Sequence, residues 1–186
     1  MTAHMIVYLD NIIFSLRPGS NESRHWATMT RGLLPMPDAE LRFIEYANAL
    51  CDEYRYRLDL ARRGHLYVMR NLWLTRHLAV RIDGYAHTPF IFHSSWYRIC
   101  DNPWATNVIT VDGNFSPTPR RLWALRHCDL VICTSRNALN SLPATLQSKA
   151  TAISTKKSNT NIALLTLKAY RRALPPHKAG VHCASK

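Results

Sequence analysis

The stretch that could do chemistry most directly is FIFHSSWYRI, residues 90–99. An apolar run ends at Phe92 and is followed at once by polar and aromatic side chains, of which the candidate ligand-binding residues are His93, Ser94, Tyr97 and Arg98. Imidazole, hydroxyl and guanidinium groups can hydrogen-bond a polar ligand, and an aromatic face can stack on a ring. The same residues could instead cap a loop and pack beneath the next helix, so a binding site and a structural loop both stay open.

A carboxylate follows a second apolar run, at Asp112-Gly113. A carboxylate at the end of a strand is well placed for acid–base work or for binding a hydroxyl group. Asp-Gly is also a common turn. The sequence leaves both interpretations of Asp112 open.

The elements that must position these residues follow from hydrophobic patterning. Apolar runs predict strands at residues 5–9, 41–46, 89–93, 107–111 and 130–134. Helices are predicted after an N-cap at Ser23, over residues 47–63, 66–82 and 120–127, and from Ser135 to Pro143. This alternation predicts an α/β fold with a Rossmann-like parallel sheet and helices on both faces. Ligands bind such sheets at the carboxyl ends of the strands, where His93 and Asp112 are expected.

The positive charge of the chain is unevenly distributed. The net charge is +12, yet all 12 acidic residues lie at or before Asp129, and every lysine lies at or after Lys149. Beyond residue 143 the chain is rich in Ser, Thr, Lys and Ala. We therefore predict one domain over residues 1–143 and a basic, poorly ordered tail over residues 144–186, in which residues 162–173 could form a helix.

The cysteines and the N-terminus narrow the class of protein further. The five cysteines show no CxxC spacing, and Cys133 lies inside an apolar run, so buried thiols are predicted rather than a metal site. No apolar run approaches the roughly 18 residues that span a bilayer, and no signal-peptide pattern is present. A cytoplasmic location is the expectation.

Four stretches resemble one known family when they are taken in order. IVYLDNIIFSL with Trp26, PFIFHSSWYRI, NVITV and CDLVICTSRNALNSL resemble the N-terminal half of family-4 retaining glycosyltransferases of bacterial surface-polysaccharide synthesis. The resemblance covers residues 5–142 in patches and skips residues 47–82. It implies one half of a GT-B fold that binds a saccharide or lipid-linked acceptor, without a cofactor. It also implies a ligand-binding loop after the first strand, at Gly19 and Ser20.

The sequence departs from the family pattern at three places. The relatives' glycine pair falls on Ser20 and Asn21, with Gly19 one position early, and Asp112-Gly113 stands where the relatives carry a His-Asp pair. Asp112 is therefore the candidate catalytic residue. Nothing in residues 143–186 resembles the second domain, which holds the nucleotide-sugar donor. The resemblance implies a truncated enzyme, inactive unless a donor-binding domain is supplied, and leaves open whether the tail is native or a frameshift product.

Arginines in residues 47–82 suggest one further partner. They could contact acidic membrane lipid, which would place the protein peripherally at the inner face of a membrane. Solvated faces paired with Asp52, Glu53 and Asp59 are the simpler explanation. The arginines are Arg55, Arg57, Arg62, Arg63, Arg70 and Arg76.

The predicted function is thus the acceptor-binding domain of a glycosyltransferase. The alternative is a non-catalytic nucleic-acid binder acting through the tail, for example through Lys156 and Lys157. No nucleic-acid-binding signature supports it, so nucleic acid is not an expected partner. A Rossmann oxidoreductase is disfavoured because no GxGxxG follows the first strand.

Overall fold

The sheet is the frame that positions every candidate residue. The computed structural model describes residues 5–46, 49–60, 64–68, 71–82, 88–113, 115–153 and 159–174. Within them seven strands form one all-parallel sheet in the order β3-β2-β1-β4-β5-β6-β7. The strands are β1 (Met5–Asp10), β2 (Ala39–Tyr46), β3 (Gly64–Val68), β4 (Phe90–Ser94), β5 (Ala105–Val111), β6 (Leu130–Cys133) and β7 (Ala150–Ala152). The predicted α/β, Rossmann-like class is confirmed.

The helices are mostly short, and several of them begin at a polar N-cap residue. Ser20, Thr118 and Ser135 each accept a hydrogen bond from a backbone N–H of the first turn that follows, as N-cap residues do. The helices are α1 (Ile13–Leu16), α2 (Asn21–Leu33), α3 (Glu53–Tyr56), α4 (Leu72–Thr75), α5 (Pro119–His127), α6 (Arg136–Asn140), α7 (Ala144–Gln147) and α8 (Asn159–Ala173).

Both faces of the sheet are covered. On β5, Val108 packs in one cluster with residues of α2 and α8, such as Leu33 and Leu167. The neighbouring Ile109 points to the other face and packs with Leu125 of α5. Since successive side chains of a strand alternate between faces, apolar residues at every position of a strand require cover on both sides.

The predicted tail differs from the structure over residues 150–153 and 159–173. β7 pairs with β6, so that Val131 lies opposite Ala150, and α8 packs against α2. Ile162, Ala163 and Tyr170 are buried. The prediction followed charge and composition, whereas the apolar residues of this segment recur at helical spacing and form one buried stripe. Residues 154–158 and 175–186 lie outside the described residues.

The predicted helices at 47–63 and 66–82 also differ from the structure. The first contains a 3-10 turn at Ala49–Cys51 and the single-turn helix α3. The second contains part of β3 and the single-turn helix α4. Short apolar runs do not distinguish strand from helix by periodicity alone, and no run in this region is long enough to decide.

Candidate active site at the carboxyl edge of the sheet

A cavity of about 530 Å³ lies at the carboxyl edge of the sheet. The strand order reverses between β1 and β4, because the chain runs from β1 outward to β3 and then returns to β4 on the other side. The loops after these two strands diverge and leave a crevice, which is where ligands bind in such sheets. The lining residues come from the end of β5, from the segments that follow β1, β4, β5 and β6, and from helices α1, α2 and α5. They are Ile13, Arg17, Asn21, Glu22, His25, Trp26, Ser95, Trp96, Tyr97, Thr110, Asp112, Gly113, Ser116, Thr118, Arg121 and Thr134.

One wall of this pocket is built from two aromatic rings and an arginine. The rings of Trp96 and Tyr97 meet edge to face, with centroids 5.9 Å apart. The Cζ atom of Arg121 lies 5.5 Å from the centroid of Trp96 and 4.9 Å from that of Tyr97, within cation–π range. All three side chains are half-buried, so they keep surface that a ligand can cover.

The ionisable side chains of the pocket differ in their partners and in their burial. Arg17 and Glu22 form an ion pair of 3.1 Å. Asp112 follows β5 directly and is half-buried. Among the described residues, no carboxylate lies within ion-pair distance of Arg121, which donates one hydrogen bond to the carbonyl of Ser116. Burial lowers the pKa of His25, so this imidazole is neutral at pH 7.

Next to the pocket, the carboxyl ends of β1, β2 and β4 are joined by a closed polar network around Asp10. The hydroxyl of Tyr46 donates to Asp10 Oδ1 over 2.6 Å, and Ser94 Oγ donates to Oδ2 over 3.0 Å. Nη1 of Arg98 lies 3.2 Å from both oxygens and also contacts the Tyr46 hydroxyl. Ser94 and Arg98, both predicted ligand-binding residues, are buried and engaged with Asp10.

A second buried network continues from Asn11. Its amide donates to Glu45 over 2.9 Å and accepts from the indole of Trp26 over 2.8 Å. Glu45 also pairs with Arg55 at 2.9 Å. One interpretation of the arginines placed Arg55 against a membrane, but its buried ion pair with Glu45 holds it inside the protein. Arg57 pairs with Glu53 at 3.5 Å. Arg62, Arg63 and Arg70 lie outside the described residues.

His93 lies beneath the pocket and is fully buried. Its Nδ1 is 2.5 Å from the hydroxyl of Tyr170 on α8, and its Nε2 is 2.7 Å from Oγ1 of Thr110. Burial lowers its pKa to about 3, so the ring is neutral at physiological pH. Thr110 lines the pocket and His93 does not, so His93 reaches a ligand only through Thr110.

The predicted ligand-binding residues of the loop after β1, Gly19 and Ser20, form hydrogen bonds with other residues of the protein. Gly19 has a φ of +70°, which favours glycine, and its N–H donates to Asp52 Oδ2 over 2.9 Å. Ser20 is the N-cap of α2, and its Oγ accepts from the N–H of Ser23 over 3.1 Å. Gly19 and Ser20 do not line the pocket, whereas Arg17 and Asn21 on either side of them do.

The structure thus brings together two of the predicted site residues, Tyr97 and Asp112. Arg121 also lines the pocket and was not among the predicted site residues. Arg121 lies in the first turn of a helix that follows a strand, and in a parallel sheet that turn faces the carboxyl edge. Its place after the Thr118 cap was the signal that could have identified it.

No metal site is found among the residues that the structure describes, because none of their His, Cys, Asp and Glu side chains form a group of three or more that could hold an ion. Burial raises the pKa of Cys100 and of Cys133 to about 11, which keeps both thiols protonated. Within the described ranges, no helix is both long enough and apolar enough to cross a bilayer.

Comparison with known proteins identifies no relative. No family model, curated protein or solved structure matches the chain.

Proposed function

We propose that this chain is the acceptor-binding domain of a glycosyltransferase. A saccharide or a lipid-linked sugar would bind in the pocket, and a nucleotide-sugar held by a separate donor-binding domain would supply the transferred sugar. One observation carries this proposal. The pocket where the strand order reverses is lined by two aromatic rings, a cation and a carboxylate, which belong to Trp96, Tyr97, Arg121 and Asp112.

These side chains suit a sugar ring. The C–H faces of a sugar stack on aromatic rings, and sugar hydroxyls need hydrogen-bond partners on their edges. Tyr97 and Trp96 offer the aromatic surface, Arg121 offers donors, and Asp112 offers acceptors. The cavity volume of about 530 Å³ is within the range of ordinary small-ligand sites.

Asp112 is the residue we assign to the acceptor hydroxyl. In glycosyl transfer the oxygen of that hydroxyl bonds to the anomeric carbon of the donor sugar while the bond from this carbon to the nucleotide phosphate breaks, and the nucleotide leaves with the electron pair. The hydroxyl loses its proton in the same step, and a carboxylate within hydrogen-bond reach can accept it. The pocket alone cannot exclude water from a donor, so transfer needs the donor-binding domain.

The family resemblance supports the same pocket, although Asp112 itself stands where the relatives carry a His-Asp pair. The stretch FIFHSSWYRI contributes Ser95, Trp96 and Tyr97 to the pocket, and the stretch NVITV contributes Thr110. Two of the motifs that carry the resemblance therefore line the cavity.

A chemical-shift titration with lipid-free mono- and disaccharides tests the proposal. We expect millimolar affinity and shifts at Trp96, Tyr97 and the start of α5. Asp112→Asn should weaken binding about fivefold, the equivalent of one hydrogen bond of about 1 kcal/mol. The matched control is Asp101→Asn, because Asp101 is exposed and precedes β5, at the opposite edge of the sheet.

Two results would contradict this function. One is a set of shifts that maps away from the pocket with every saccharide tested. The other is tight binding of a nucleotide-sugar by this chain alone, because the donor belongs to the other domain in this proposal.

A further inference from the structure

Large hydrophobic side chains are exposed on one surface beside the pocket. The exposed fractions are 63% for Trp73, 53% for Leu74, 48% for Leu78 and 50% for Trp123. Three of these residues belong to α4 and the turn after it, and Trp123 belongs to α5. We call these four residues and the groove between Leu78 and Trp123 the apolar surface.

Direct contacts join the two segments of the apolar surface. Leu78 and Trp123 line one groove of about 310 Å³. Arg120 of α5 donates to the carbonyl of His77, and the rings of Trp73 and His77 meet edge to face with centroids 6.1 Å apart. These contacts place Trp73, Leu78 and Trp123 beside one another, joined through His77 and Arg120.

The charged side chains of the two segments that carry the apolar surface are all positive. Residues 71–82 and α5 contain five arginines and no acidic residue. Among the described residues, the only carboxylate paired with any of these arginines is Asp101, which lies 3.7 Å from Arg81. Arg76 instead lies over the ring of Trp73, with 5.8 Å between its Cζ and the ring centroid. The arginines are Arg76, Arg81, Arg120, Arg121 and Arg126.

We propose that the apolar surface binds a membrane that contains anionic lipid. Tryptophan favours the boundary between head groups and acyl chains, and arginine binds the phosphates of anionic lipids. Trp73 and Leu74 are exposed without lining the groove, so a peptide that filled the groove would leave them in water. A bilayer surface is broad enough to cover side chains outside the groove as well as those that line it.

This surface also adjoins the proposed acceptor site. Tyr97 lines both the groove and the pocket. If the pocket holds a sugar, as proposed above, membrane binding would bring it next to acceptors that carry a lipid. The vesicle tests change residues of the apolar surface that do not line the pocket, such as Leu78, Trp123 and Arg76, so either proposal can fail without the other.

Vesicle co-sedimentation tests the membrane proposal with two double variants of the full chain. Leu78→Ser with Trp123→Ser removes one leucine and one aromatic ring from the apolar surface. The matched control, Leu164→Ser with Tyr56→Ser, removes the same classes from exposed positions on α8 and α3, 44% and 75% exposed. We expect binding to phosphatidylglycerol-containing vesicles to fall at least about tenfold in the first variant only. The basic C-terminal residues are present in both, so their non-specific contribution cancels.

Two further measurements separate the apolar and charge contributions. Lipids brominated in their acyl chains should quench tryptophan fluorescence of the wild type, and Trp73→Phe with Trp123→Phe should lose most of that quenching. Arg76→Glu should weaken vesicle binding more than Arg172→Glu does. The second substitution makes the same change of charge at an exposed position of α8. This pair keeps the test valid if the serine variant does not fold.

Three outcomes would overturn the proposal. They are equal binding to vesicles with and without phosphatidylglycerol, equal losses in the surface and control variants, and self-association that the Leu78→Ser, Trp123→Ser variant abolishes. The last outcome would assign the apolar surface to a second copy of this chain.

Discussion

Two polar clusters lie side by side at the carboxyl edge of the same sheet. The side chains of one bind each other, and those of the other line an open pocket. Around Asp10, the side chains of Tyr46, Ser94 and Arg98 satisfy one another and are buried. Around Asp112 and Arg121 the side chains line an open pocket and stay half-buried. The first cluster resembles a folding constraint and the second a binding site, although both follow strands in the same way.

The largest expected effect comes from breaking the closed cluster at its charge pair. Arg98→Met should destabilise the protein by about 3–5 kcal/mol, because it leaves the Asp10 carboxylate buried without its cation. Urea unfolding followed by circular dichroism measures this change. A loss below about 1 kcal/mol would mean that the Asp10 cluster is hydrated and not closed.

Ser94 offers a smaller change in the same cluster. Ser94→Ala removes the hydroxyl that donates to Asp10 and accepts from the N–H of Trp96. We expect a loss of about 2 kcal/mol, as for a buried hydrogen bond to a charged group. The affinity for saccharides should stay the same, and a drop in affinity at unchanged stability would instead make Ser94 a ligand-binding residue.

His93 makes the stability depend on pH. Its pKa is lowered to about 3 in the folded protein, below the value of 6.5 for the unfolded chain. The unfolded chain therefore binds a proton first as the pH falls, and stability is lost between about pH 6.5 and pH 3. His93 should account for about 2 kcal/mol of the loss between pH 7 and pH 5. Urea midpoints for wild type and His93→Gln at both values measure it, and equal pH dependence in the two would contradict the burial of a neutral imidazole.

The smallest effect on stability is expected in the open pocket. Arg121→Met keeps much of the side chain's packing on Trp96 and Tyr97 and breaks no ion pair among the described residues, so it should cost about 0.5 kcal/mol or less. Saccharide affinity should fall about fivefold in the same variant, since one hydrogen-bonding cation is lost. The comparison between the two clusters fails if Arg121→Met and Arg98→Met destabilise the protein equally.

Much of the fold could be predicted from the sequence because buried parallel strands are apolar on both faces. Residues 5–9 form a continuous apolar run and residues 107–111 contain three apolar β-branched residues in five, and each stretch lies in a strand of the structure. β7 is three residues of Ala and Thr at the edge of the sheet, and such a segment carries no pattern strong enough to predict. α8 was missed as part of the fold because a composition rich in lysine masked the buried positions of Ile162 and Tyr170.

The site was harder to predict than the sheet, because position after a strand does not fix which way a side chain points. Ser94 and Tyr97 are three residues apart in one motif, yet one donates to Asp10 and the other lines the pocket. The deciding partner of Ser94 is 84 residues away in the chain. No local pattern contains that information, whereas Arg121 was detectable once the helix after β5 had been placed.

The contact between His93 and Tyr170 has a consequence for how the chain folds during synthesis. The two residues are 77 positions apart, so a ribosome has made nearly the whole described chain before the imidazole gains its hydroxyl partner. Arg171 of the same helix reaches Asp38 across 133 positions. Contacts of such long range slow folding, because a large loop must close before any stabilisation is gained. Until α8 leaves the exit tunnel, the nascent chain exposes the apolar residues of α2 that this helix later covers, which makes the partly synthesised protein a client for chaperones.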